Sequence, residues 1–129
     1  MIYTSNYATA FNQPNAVSIS RSAPKNFSGP QIIKLVPRSW AMIKMNDYSR
    51  FKTMFLQQLQ SINVHKMAKF CENKILLCWE DTSKANNWCH RDIVREWFNK
   101  HGYPCEEWQN PYKHVKVEPK KVVVQQMLI

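Results

Sequence analysis

The sequence predicts an α/β protein: a single small domain in which a short parallel or mixed sheet is flanked by helices, built from Rossmann-like βα units. Three observations point there. Residues Lys74 to Glu80 carry consecutive apolar side chains, Ile75-Leu76-Leu77-Cys78, as expected of a central strand covered on both faces. A polar loop, Asp81 to Asn87, then leads to Ile93, Val94, Trp97 and Phe98 at helical spacing, and a strand-loop-helix order implies a βα unit. Shorter β-prone segments at Ile2–Tyr7, Ala16–Ser20 and Glu106–Trp108 supply the remaining strands.

Each element has its own signal. Ala-Val-Ser-Ile-Ser at 16–20 alternates with period two, and Ser22-Ala23-Pro24 breaks it. Phe27 to Pro30, with Gly29 before Pro30, reads as a turn. Asn46 or Asp47 is a helix cap, and behind it Tyr48, Phe51, Phe55, Leu59 and Ile62 recur at three and four residues. A second helix is expected from Val64 to about Glu72, with Met67, Ala68 and Cys71 inward. The helix after the apolar strand is expected to start at Trp88 behind Asn86 or Asn87. It stops at Gly102, with Lys100 and His101 in its last turn. Residues 1–110 form the α/β domain. Residues 111–129 form a basic-then-apolar extension, read as an extra strand or an interface segment for a homo-oligomer.

The chain has 129 residues, a formal charge of +9, and five Trp, five Tyr and six Phe. Such an aromatic content fits a packed core rather than disorder. The charge favours anionic partners. No apolar run has the length of a membrane span, and Met1-Ile2-Tyr3-Thr4-Ser5 does not read as a secretory signal, so a cytoplasmic protein without a membrane partner is expected. Cys71, Cys78, Cys89 and Cys105 form no Cys-x-x-Cys pair and are expected to be free thiols. No cofactor and no metal site are expected: Cys89, His90, His101 and Cys105 make a four-ligand set on paper, but neighbours on a helix point in different directions. With only Gly29 and Gly102 in the chain, no Gly-rich phosphate loop is possible. A phosphate cradle must therefore use a helix N-terminus and side chains.

That helix N-terminus is Cys89-His90-Arg91. Free N–H groups of a first turn attract anions. A cysteine there gains thiolate character, a histidine shuttles protons near neutral pH, and an arginine offers a planar fork to phosphate. Ligands of open α/β sheets sit beyond the carboxyl ends of the strands, where Ser5 and Asn6, Ser20 and Arg21, and Glu80 fall. The expected site thus comprises Ser5, Asn6, Ser20, Arg21 and Arg91 for ligand binding, and Cys89, His90 and Glu80 as candidate catalytic groups. The Cys-x5-Arg spacing of Cys89 and Arg95 is discounted as phosphatase chemistry, because the intervening residues lie in a predicted helix instead of looping round a phosphate. Cys78, among apolar neighbours, reads as a structural thiol.

The run Ile75-Leu76-Leu77-Cys78-Trp79-Glu80, a loop, then Cys89-His90-Arg91-Asp92-Ile93-Val94-Arg95-Glu96-Trp97 and Gly102 resembles the bacterial and phage family termed "domain of unknown function 488". Ile2-Tyr3-Thr4-Ser5, Val17-Ser18-Ile19-Ser20-Arg21, Ala23-Pro24, Gly29 and Leu35-Val36-Pro37 resemble its phage-type branch in matching order. Trp79 stands where that family usually has Tyr, and the loop lacks its Pro-Gly-Asp. The resemblance implies a compact α/β fold, a site at Cys-His-Arg and a bacterial or phage-encoded protein; it implies no activity. The leading expectation is a pocket for a nucleotide or phosphate-bearing small molecule, sequestered or processed. Two other readings stay open. One is a nucleic-acid-binding face made by Lys34, Arg38, Trp40, Lys44, Arg50 and Lys52 with the basic tail, Lys113, Lys116, Lys120 and Lys121. The other is a protein-interaction module, inhibiting a host enzyme, that uses Val122 to Ile129.

Overall fold

The computed structural model describes residues 1–80 and 88–109. In chain order they form β1 (Ile2–Asn6), α1 (Tyr7–Ala10), β2 (Ala16–Ser18), a 3-10 turn (Ile33–Leu35), α2 (Trp40–Ile43), α3 (Tyr48–Gln60), α4 (Val64–Cys71), β3 (Ile75–Cys78), α5 (His90–Lys100) and β4 (Cys105–Glu107). The four strands make one sheet in the order β2-β3-β1-β4, and every pair in it is parallel. The expected α/β fold is therefore present, with a wholly parallel sheet. Among the described residues no helix is long and apolar enough to cross a membrane.

The apolar strand is central, as its composition requires: all four residues of β3 are buried. Alternation along the strands divides the core in two. Ile2, Val17, Ile19 and Leu76 face Phe51, Phe55 and Leu59 of α3, Met67 and Cys71 of α4, and Ile93, Val94 and Phe98 of α5. Ile75, Leu77 and Ala16 face the other way, against Tyr7 and Ala10, with Phe27 and Trp108 packed at the margin. The apolar run of β3 implied cover on both faces of the sheet. The three long helices share one face, and the short α1 with the turn at Phe27 covers the other. Each fully buried large side chain contributes roughly 1.5–3 kcal/mol of transfer free energy, so the α3–α4–α5 face carries most of the stabilisation.

Local chemistry sets the helix ends. Asp47 accepts from Arg50 N–H at the start of α3, and Asn63 does the same for Lys66 in α4. Two short helices have no long-range periodicity and arise from their caps: Asn6 accepts from Thr9 N–H and Ser39 from Met42 N–H. At the end of α5, Gly102 takes φ +86°, which lets Gly102 N–H reach Asn99 O and Tyr103 N–H reach Phe98 O as a left-handed helix stop. Gly29 is needed for a different reason: a Cβ there would lie 2.6 Å from the Ala16 carbonyl oxygen. β2 ends at Ser18, two residues earlier than its pattern suggested, although Ile19 N–H still donates to Leu77 O at 2.9 Å. The predicted strand at Glu106–Trp108 is displaced by one residue, to Cys105–Glu107. The loop at 81–87 and the extension at 111–129 lie outside the described residues.

Leu76, with no exposed surface in the middle of the sheet, tests this packing. Leu76→Ala is expected to lower the unfolding free energy by about 2–5 kcal/mol, measured by urea denaturation with an unchanged m-value.

Candidate functional site

Parallel pairing fixes where the strands stop. Ser5 lies opposite Leu77 and Asn6 opposite Cys78, while Ser18 also lies opposite Leu77. Three carboxyl ends therefore finish at one level, as a parallel sheet requires of its ligand-binding edge. α5 starts at this level, two residues later than predicted. Its N-cap is Cys89, which makes no side-chain capping bond, and His90 and Arg91 are its first residues. Asn86 and Asn87, the expected caps, lie outside the described residues.

A cavity of about 250 Å³ opens here. Its buried wall includes Cys78, Cys89 and His90, and its exposed margin includes Arg21, Trp40, Trp79 and Glu80. The Arg21 guanidinium lies 5.5 Å from the Trp40 ring centroid and donates to Arg38 O at 3.0 Å. Trp79 Nε1 donates to Ser22 O at 2.8 Å, and its ring stands edge-on to Tyr7. Ser20 Oγ exchanges a 2.6 Å hydrogen bond with the Tyr7 hydroxyl. Trp88, also lining the cavity, packs on Tyr48 and Phe51.

His90 is held from two sides. A carbonyl oxygen only accepts, so the 2.5 Å contact between Nε2 and Ile19 O fixes the proton on Nε2. Nδ1 then faces Cys89 Sγ at 3.6 Å, and the ring stands edge-on to Phe55. Burial lowers its pKa from 6.5 to about 4; the bond to Ile19 O opposes that shift, and the Arg91 charge adds to it. The imidazole is neutral at pH 7, so the near-neutral proton shuttle expected from the sequence is not what this environment favours.

Arg91 does not line the cavity. It is buried, its Nε and Nη2 donate to the Glu107 carboxylate at 3.2 and 2.9 Å, and Nη1 donates to Glu80 O at 2.6 Å and Cys78 Sγ at 3.1 Å. Glu107 also accepts from Thr4 Oγ1 at 2.7 Å and from Arg95 Nη1 at 3.2 Å. The Arg91 fork therefore recognises a carboxylate of its own chain. Arg95, further ion-paired to Asp92, belongs to the same network, in keeping with the discounted phosphatase motif. Ser5 and Asn6 are buried and stand outside the cavity lining; Asn6 spends its side chain capping α1.

The structure thus brings Ser20, Arg21, Glu80, Cys89 and His90 together, and sets Ser5, Asn6 and Arg91 behind the cavity. Sequence reasoning passed over Cys78, whose apolar neighbours made it look structural. It is buried, yet it is disulfide-bonded to Cys89, across a Cα separation of 7.2 Å, so the expectation of free thiols fails for these two, which the fold brings together from the end of β3 and the cap of α5. Of the four thiols expected to be free, Cys71 and Cys105 are so, both buried, with burial pushing each thiol up to about 12. The paper set of Cys89, His90, His101 and Cys105 does not assemble, because His101 and Cys105 lie beyond the far end of α5. Of the basic set that includes Lys34, Arg38, Lys44, Arg50 and Lys52, only Trp40 lines the cavity, and Lys52 is ion-paired to Glu96 at 3.0 Å. No protein-family model, curated protein or solved structure matches the chain.

Two measurements test this geometry. Glu107→Ala removes a two-point partner of a buried guanidinium and is expected to cost about 3 kcal/mol of stability in denaturant titration. As pH falls below 6.5 the unfolded chain protonates at position 90 while the folded chain resists until about 4. Stability is therefore complete above pH 6.5 and declines by about 3 kcal/mol on acidification to pH 4. His90→Gln is expected to lack this part of the pH profile.

Proposed function

We propose that the protein binds a nucleotide, or a small molecule of the same kind with an aromatic ring and phosphate, in the cavity at the strand ends. The observation that carries this reading is the margin of the cavity, where Trp40 and Trp79 are 50 % and 49 % exposed with Arg21 stacked on Trp40. Large apolar rings gathered at a concave surface mark a ligand site. Indole faces stack on nucleobases, and an arginine beside them meets phosphate. Ser20 and Ser22 line the same cavity, and Glu80 offers a carboxylate for a ribose hydroxyl. A formal charge of +9 attracts such a ligand. The resemblance of the Cys89-His90-Arg91 segment to the "domain of unknown function 488" family supports the same location. Binding needs only this complementarity. Turnover needs, in addition, a group placed against the reacting bond, for which Cys89 and Glu80 are the candidates.

The test is to incubate the full chain with a pooled panel of mono-, di-, cyclic and ADP-ribose-type nucleotides. Bound and released species are then identified by mass spectrometry. One nucleotide is expected to be enriched, and Arg21→Ala and Trp40→Ala are each expected to weaken it about 5- to 150-fold, from the roughly 1–3 kcal/mol of a stacking contact. Recovery of a changed nucleotide would add catalysis to binding. Absence of enrichment, with retention on long DNA or RNA that fades steeply with salt, would replace this reading by the nucleic-acid-binding one.

A further inference from the structure

We propose that Cys78, Cys89 and His90 form a mononuclear zinc site, with Cys78 Sγ, Cys89 Sγ and His90 Nδ1 as ligands and the fourth position open to the cavity. The three donor atoms lie within 4.8 Å of one another, and all three residues are buried. They arrive from different elements: Cys78 ends β3, Cys89 caps α5 and His90 opens it. Two thiolates and an imidazole are a donor set zinc accepts, and three protein ligands are the number that leaves a position for water or substrate.

Three features beyond proximity favour an ion. The first is the histidine tautomer. Nε2 donates to the Ile19 carbonyl at 2.5 Å, so the lone pair of the neutral ring is on Nδ1, the nitrogen beside Cys89 Sγ. A ligating histidine is normally oriented in this way, by donating its other N–H to a carbonyl or carboxylate. The second is charge. Arg91 Nη1 lies 3.1 Å from Cys78 Sγ and Cys89 stands at the N-terminus of an 11-residue helix, so a positive or partly positive group offsets the negative charge of a two-sulfur ligand set. The third is backbone spacing. The Cys78 and Cys89 Cα atoms are 7.2 Å apart, beyond the roughly 4.4–6.8 Å that disulfides span. Two sulfurs sharing a tetrahedral ion at about 2.3 Å each sit roughly 3.7 Å apart, which suits a wider backbone. In the structure the two sulfurs are bonded to each other; a two-electron reductant, such as a phosphine, opens that bond to two thiols, and binding then balances as two thiols plus Zn²⁺ giving a neutral dithiolate–zinc unit and two released protons. This assignment is independent of which molecule fills the cavity.

The experiment uses the full chain, purified in a non-thiol reductant, loaded with zinc and dialysed. About one zinc per chain is expected by elemental mass spectrometry. Cobalt(II) in its place is expected to give thiolate-to-cobalt charge-transfer absorption and the intense visible bands of a tetrahedral ion. Cys78→Ser, Cys89→Ser and His90→Gln are each expected to weaken zinc at least tenfold against a chelator, whereas Cys71→Ser is expected to retain it. Should a variant fail to fold, the wild-type chain still decides: zinc is expected to shield Cys78 and Cys89 from alkylation, as mapped by peptide mass spectrometry. The proposal is overturned by a wild-type chain that retains no zinc, by cobalt spectra without thiolate bands, or by zinc that leaves both cysteines as reactive as before. Recovery of the reduced preparation with Cys78 and Cys89 still linked overturns it as well.

Discussion

The buried guanidinium of Arg91 is the contact on which the strand-end architecture depends. One side chain on the first turn of α5 reaches the last residue of β4 through Glu107, the end of β3 through Cys78, and the chain just beyond it through the Glu80 carbonyl. Burying a charge is tolerable only when its donors find acceptors, and here these acceptors come from separate pieces of backbone. The helix cannot turn about its axis, nor β4 shift along β1, without breaking charge-assisted bonds. Thr4 and Arg95 complete the arrangement around the same carboxylate. A segment that looks from its sequence like an anion receptor spends its arginine on its own chain.

What that framework presents to the cavity is a compact pair of sulfurs and a neutral imidazole behind a margin of indoles. The division follows from strand pleating. Leu76 and Cys78 share the face covered by α5, whereas Ile75 and Leu77 face Tyr7 and Phe27. Because Cys78 is the last residue on its face, it meets the first turn of α5 instead of the helix body. The buried side of the cavity is therefore sulfur and imidazole, and its solvent-facing side aromatic.

Much of this was legible in the residues, for reasons that are local. Four consecutive apolar side chains mark β3 whatever surrounds them. The spacing of Phe51, Phe55 and Leu59 marks α3, and Gly102 marks the end of α5 through its own backbone freedom. The place of the cavity was legible too, since a parallel sheet places its strand ends together once the strand-loop-helix order is known. The pairings were not legible. Nothing local distinguishes Glu107 from Glu80 or Asp92 as the partner of Arg91; that choice is made by β4 lying beside β1. Cys78 looked structural because its sequence neighbours are apolar, while its chemistry is decided by a residue on the next element. Helices α1 and α2 carry no periodic signal, being single turns held by Asn6 and Ser39.

The order of the strands also governs when the molecule comes into being. β1 is made first, yet its partners are β3 and β4, and its side-chain bond from Thr4 to Glu107 spans 103 residues. On a ribosome, the first strand must wait for β3 before one of its edges is paired, and for β4, near the end of the described residues, before the other is. Such non-local pairing slows folding, and the fully apolar β3 is exposed during the interval. For this sheet, the full set of strand pairs becomes available only once Glu107 has been made.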